Sequence, residues 1–240
     1  MLNPGAPSPF LLVGDHAGRE TPAALGDMGV AAEDWERHIA WDIGVAGLGA
    51  SLAALLDAAF VRQRYSRLVI DCNRDPGRPD AICEVSDGTT IPANQHLTPA
   101  ERARRVDEIV RPYHAAIAGQ LDQRAGRRTC LVALHSFTPV MDAFARPWRF
   151  GVLHLEDSPL SRAVLARLRA EPLAGEVGDN QPYRMDGTDF TVPHHAHARG
   201  LDYVELEVRQ DLIAAPAGQA EVADLLARVL TRALEDLGPA

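Results

Sequence analysis

The chain has 240 residues, 46% hydrophobic and 24% charged, which is enough apolar mass for one large core, and we expect a single domain over 1–240. A formal net charge of −9 and a pI near 5.4 argue against nucleic acid as a partner; the local concentration of Arg62, Arg64, Arg67, Arg74 and Arg78 suits a small anionic ligand as readily as a polyanion. There is no run of about 18 apolar residues, the start MLNPGAPSPF is neither basic nor strongly apolar, and Cys72, Cys83 and Cys130 lack paired spacing. The expected setting is therefore cytoplasmic, with no membrane partner, no disulfide framework and no thiolate metal site.

In chain order, Phe10 to Gly14 reads as a strand. Ile43 to Ala58 follows as an Ala/Leu-rich helix with Asp42 placed to cap it. Phe60 to Gln63 and Leu68 to Asp71 are short apolar runs ending in polar residues, hence strands. Thr98-Pro99 with Glu101 three residues after the cap makes a capping box for a helix reaching about Gln123. Cys130 to Leu134, Phe150 to Leu155 and Tyr203 to Val208 are further strands, Ser158-Pro159 opens a helix to about Ala170, and Ala220 to Leu237 closes the chain as an amphipathic helix. The alternation predicts an α/β fold, a mixed and largely parallel sheet flanked by helices, with the site beyond the carboxyl ends of the strands. The segments Asp75 to Gln95 and Gly175 to Gly200 lack a period and are long enough to be functional loops.

Four strand-end stretches carry the ionisable groups: GDHAGRE (14–20), SRLVIDCNR (66–74), LHSF (134–137) and YVELEVRQD (203–211). A lone strand-end histidine is usually hydrogen-bonded structure, and His16 and Glu20 are compatible with simple capping. Two such histidines, His16 and His135, on separate strands and accompanied by carboxylates, favour a zinc site with a position left open. Glu205, Glu207 and Arg209 alternate with Leu206 and Val208, so all three face one way. They fit a solvated Glu-Arg edge and a general base oriented by an arginine equally well. Asn73-Arg74 suits a substrate carboxylate, or else Arg74 pairs with Asp71 or Asp75; Arg67 stands at the other end of the same run. His194, His195 and His197 have no strand leading in and read as a turn or lid rather than as metal ligands, with His195 able to reach a substrate.

Six ordered blocks, GDHAG, HIAWDIG, YSRLVIDCNR, LHSFTP, GDNQPY and VELEVRQDLI, together resemble the N-formylglutamate amidohydrolase family. The resemblance implies a zinc-carboxypeptidase-like (phosphorylase/hydrolase-like) architecture and a likeness to aspartoacylase-type deacylases. It implies His16 and His135 as zinc ligands, Asn73 and Arg74 as carboxylate binders and Glu207 as base, acting on a small acidic N-acyl amino acid, foremost N-formyl-L-glutamate. Glu20 is the expected third ligand, although three residues separate it from His16 where the related peptidases have two; Asp42, in WDIG, competes with it. A peptidase acting beside a terminal carboxylate, and a binding module without turnover, are the other functions that fit these residues.

Overall fold

A computed structural model describes residues 1–155 and 158–238; Glu156, Asp157, Pro239 and Ala240, inside the expected 1–240 domain, lie outside the described residues. The first part of the chain forms β1 (Phe10–Gly14), α1 (Val45–Leu56), β2 (Ala59–Arg62), a small hairpin of β3 (Val85–Ser86) and β4 (Thr89–Thr90), and α2 (Pro99–Arg105). It continues into α3 (Arg111–Asp122), β5 (Cys130–Phe137), a second hairpin of β6 (Val140–Met141) and β7 (Phe144–Ala145), and β8 (Phe150–Leu153). The last part contains α4 (Pro159–Ala170), β9 (Val177–Asp179), the short α5 (Thr191–His195), β10 (Asp202–Arg209) and α6 (Pro216–Asp236).

Six strands pair in the order β2-β1-β5-β10-β8-β9. Every pairing is parallel except β10 with β8, so the sheet is mixed and mostly parallel, with helices on both faces. Burial on both faces explains why β1 and the first half of β5 read as unbroken apolar runs. Phe10, Leu12, Val132, Leu134, Val204 and Leu206 pack under α1, α4 and α6. The opposite set, Leu11, Val13, Leu131, Ala133 and Tyr203, packs with α3 residues Tyr113, Ile117 and Leu121. His135, Glu205 and Glu207 continue this second face by the two-residue alternation, past the edge of its apolar packing. Leu52, Leu226 and Leu230 are fully buried in the first layer, where truncation of one such leucine to alanine costs about 2–5 kcal/mol.

Two of the expected helix caps are present. Thr98 and Glu101 form the reciprocal capping box, and the Ser158 hydroxyl accepts from the Ser161 amide. The helix from Pro99 to Asp122 is continuous but widens into a π-turn over Val106–Val110. The run Leu68 to Asp71 is not a strand. It is a buried turn whose carbonyls are met by side chains: Asn94 donates to Leu68 O (2.9 Å) and Arg105 to Val69 O (2.8 Å). An apolar run without a neighbouring strand edge satisfies its backbone this way instead. Asp42 does not cap α1, whose first residue follows Gly44 with no side-chain cap, because its carboxylate is engaged elsewhere. No helix of the described residues is long and apolar enough to cross a membrane.

Candidate active site

The chain leaves β1 through Asp15 and His16, and the Asp42 amide donates to the His16 carbonyl (2.9 Å), which binds the loop before α1 to the end of β1. The Asp42 carboxylate accepts from the Ser136 amide (3.2 Å), and the Ser136 hydroxyl donates to Ile43 O (3.0 Å), fixing that loop to β5. Asp42 Oδ2 consequently lies 3.0 Å from His135 Nδ1 and 3.5 Å from His16 Nδ1. One ligand atom from each of His16, Asp42 and His135 lies within 4.8 Å of the others, and all three residues are buried.

Each imidazole has a carboxylate on its far nitrogen. His16 Nε2 lies 2.7 Å from Asp71 Oδ1 and His135 Nε2 lies 3.4 Å from Asp15 Oδ2. The Asp71 hydrogen bond is of the kind that fixes an imidazole's orientation and leaves its other nitrogen free for a cation; the Asp15 contact with His135 is a charge contact without a hydrogen bond. His16 Nδ1 has no hydrogen-bond partner among the described residues although it is buried, which is the condition of a nitrogen awaiting a cation. Burial pushes the Asp42 carboxyl up, but the two imidazoles outweigh it and hold the group well below the usual carboxylate range. Burial likewise opposes the imidazolium forms, yet Asp15 and Asp42 raise His135 well above its ordinary value, and Asp71 and Asp42 raise His16 against Arg67.

Beside this cluster a cleft of about 490 Å³ opens, lined by all three residues and by Arg67, Asn73, Arg74, Tyr183, Arg184, Glu205 and Glu207. Glu207 is directly opposite His135 in the β5–β10 register. Burial pushes the Glu205 and Glu207 carboxyls up to about 8 each, against the lowering effect of His135; one oxygen of each has no hydrogen-bond partner among the described residues. Two imidazoles and a carboxylate gathered at one point could hold a metal ion, with buried carboxyls poised near neutrality beside them.

A sequence profile of the N-formylglutamate amidohydrolase family matches residues 8–214. The chain belongs to the N-formylglutamate amidohydrolase family. It is similar to a gene product of Agrobacterium tumefaciens of solved structure, with 37% identity and a TM-score of 0.94 over 99% of this chain and 94% of that one. At the level of fold it is similar to an N-formylglutamate amidohydrolase from Ralstonia eutropha JMP134, with a TM-score of 0.72 and 20% identity over 96% of this chain and 94% of that one. No curated protein sequence matches it.

Within this amidohydrolase framework the expected site residues divide. His16, His135, Glu207, Arg67, Asn73 and Arg74 all line the cleft. Glu20 does not join the histidines: its side chain is 55% exposed and paired with Arg64 at 2.6 Å, and Asp42 occupies the place expected for it. Arg209 is also outside, since β10 ends there and its guanidinium forks onto Asp211 (2.8 and 3.1 Å). His195 is buried behind the wall, its Nε2 2.9 Å from His114 Nδ1, and burial lowers it to about 3.

Asn73 lines the cleft and is 3% exposed, with its side-chain oxygen occupied within the protein. Its Oδ1 accepts from the amides of Phe190 (3.0 Å) and Thr191 (2.9 Å), and its Nδ2 donates to Asp189 (3.3 Å). It clamps the start of α5 through its oxygen, while one of the two N–H groups of its Nδ2 is left without a protein acceptor among the described residues. Arg74 is held by Asn73 O (3.2 Å) and Thr188 O (3.0 Å) and lies 3.6 Å from Asp189, not against Asp71 or Asp75. Asp15, Tyr183, Arg184 and Asp189 have no site role in the sequence alone, and Asp71 only that of a partner for Arg74. For Asp15 the adjacency to His16 was a usable signal; for the others only tertiary contact identifies the role.

Proposed function

We propose that the protein hydrolyses the amide bond of an N-acyl amino acid, foremost N-formyl-L-glutamate to formate and L-glutamate, with zinc held by His16, Asp42 and His135. The observation that carries this reading is the buried cluster itself: two nitrogen donors and one oxygen donor within 4.8 Å, with an unpartnered imidazole nitrogen among them. That donor set suits zinc. Zinc bound there supplies Lewis acidity at the scissile amide.

The remaining work falls to the chain's own groups. Glu207, buried opposite His135 with a carboxyl near 8, takes a proton from the attacking water and returns it to the departing amine nitrogen. One water adds across one C–N bond, so formate and the free amino acid leave with protons balanced. Asp71 holds the His16 imidazole in orientation through a 2.7 Å hydrogen bond, and Asp15 places a negative charge 3.4 Å from His135 Nε2. Arg67 donates to Asp71 (2.7 Å) and lies 3.6 Å from Asp42, placing a fixed positive charge beside the reacting centre.

The test is metal content together with formate release from N-formyl-L-glutamate, with and without a chelator, in the wild type and in Glu207→Gln. About one zinc per chain, chelator-sensitive release, and a Glu207→Gln protein that keeps zinc but loses turnover are expected. Activity retained in Glu207→Gln removes the base assignment, and zinc without formate release redirects the substrate to other acyl amides.

A further inference from the structure

We propose that Arg184 receives the side-chain carboxylate of an acidic N-acyl amino acid and thereby sets the preference for a dicarboxylic substrate. The inference rests on the amide-hydrolase reading of the site for its substrate, but its argument comes from the charges of the cleft. Asp42, Asp87 and Asp186 line that cleft, so a ligand with two carboxylates meets charges of its own sign there. Each carboxylate brought in needs a cationic partner to offset its lost hydration.

Three guanidinium groups line the cleft, and two are committed. Arg67 is spent on Asp71 and Asp42. Arg74 is divided between two backbone carbonyls, Asp189 at 3.6 Å and Asp80 at 3.9 Å. To use either fully, a substrate must displace contacts already made within the protein. Among the described residues Arg184 makes no ion pair and no hydrogen bond, so its whole planar fork is available at no such cost.

The backbone that carries Arg184 is nevertheless well seated. Next to it, the Tyr183 hydroxyl accepts from Arg146 (3.0 Å), whose guanidinium also lies 4.9 Å from the centre of the Tyr183 ring. On its other side Met185 is buried. Earlier in the segment the Gln181 carbonyl occupies the space left by Gly151 on β8; a Cβ there would be 2.0 Å from that oxygen. Arg184 is thus a free side chain on an anchored backbone, the arrangement a specificity residue needs.

The experiment compares wild type, Arg184→Gln and Arg184→Lys on N-formyl-L-glutamate and N-formyl-L-glutamine. In parallel, calorimetry measures binding of L-glutamate and L-glutamine to the zinc-loaded protein. A charged hydrogen-bonded contact of about 1.5–3 kcal/mol converts to a loss of roughly 10- to 150-fold. Arg184→Gln is expected to lower the acid-over-amide ratio of kcat/KM by that factor, mainly through KM, to weaken glutamate binding in parallel, and to be partly rescued by lysine. An unchanged ratio, or equal losses on both substrates, overturns the proposal while leaving amide hydrolysis standing. If the wild type cleaves neither substrate yet binds glutamate in an Arg184-dependent way, the hydrolysis reading fails and the carboxylate assignment holds; absence of both activity and selective binding removes both.

Discussion

Substituting Asp42 and Glu20 separately distinguishes the two carboxylates that compete for the third place in the metal cluster. Asp42 is 3% exposed with its Oδ2 3.0 and 3.5 Å from the two imidazoles, whereas Glu20 faces solvent on Arg64. Zinc present at about a thousand times its Kd stabilises the folded state by about 4 kcal/mol. For a chain of this length, each kcal/mol corresponds to roughly 2–4 °C in Tm, so zinc added to chelator-stripped wild type is expected to raise Tm by about 8–16 °C. Glu20→Gln should keep that shift to within about 1 °C, because the solvent-exposed ion pair it removes acts equally with and without zinc. Asp42→Ala should abolish it, and Asp42→Asn, which preserves an acceptor for the Ser136 amide, should reduce it sharply if the parent fold is retained. Scanning calorimetry with and without zinc reads all four proteins. A full zinc shift in Asp42→Ala, or its loss in Glu20→Gln, refutes the assignment.

Three further outcomes follow from the same packing. In chelator-stripped protein His16, His135, Glu205 and Glu207 all hold protons more tightly folded than unfolded. Their contribution to stability is complete below the unfolded values, 4.5 for glutamate and 6.5 for histidine, and is lost as pH rises through the folded ones, near 8 for the two glutamates. The stripped protein's Tm should therefore fall from about pH 4.5 to above 8, more steeply once the histidines join above 6.5, while its zinc-induced shift grows, since the ligands must shed protons to bind; a flat Tm in that window counts against the buried-proton account. Arg105→Ala should destabilise by about 3–5 kcal/mol in denaturant unfolding, because Arg105 is buried and serves Val69 O, Ala93 O and Asn94 together, and a loss under 1 kcal/mol would show water replacing it. Gly151→Ala should displace the segment bearing Tyr183 and Arg184, which a lowered kcat/KM with zinc content unchanged would register; wild-type kinetics would show that the Gln181 carbonyl yields easily.

The parts of the fold that were legible in the sequence are those whose signal is local. Thr98 and Ser158 cap helices through atoms within three residues, and β1 and β10 read correctly because their side chains sort by alternation or uniform burial. Leu68 to Asp71 misled because a short buried apolar run looks the same whether its carbonyls meet a strand or, as here, Asn94 and Arg105 from distant segments. β5 runs on to Phe137, three residues past the expected end, because parallel pairing with β10 continues through Val208 and Arg209 and supplies partners to Ser136 and Phe137.

The site was legible to the extent that a strand fixes where its side chains point. His135, Glu205 and Glu207 reach one cleft because alternation on β5 and β10 leaves them no other face. Arg209 shares that alternation and still misses the cleft, because the strand ends at it and Asp211, two residues on, supplies a nearer charge. Asp42 shows the converse. At the head of a helix it has the local mark of a cap, and only the hydrogen bonds joining its loop to β1 and β5 turn its carboxylate inward. Asn73 and Arg74, adjacent in sequence, differ for the same reason: the oxygen of one is taken by the amides of α5 while the other keeps part of its fork toward the cleft. A cationic loop residue such as Arg184 leaves no pattern at all, since what distinguishes it is the absence of a partner among the described residues, and that is decided by every other charge in the cleft.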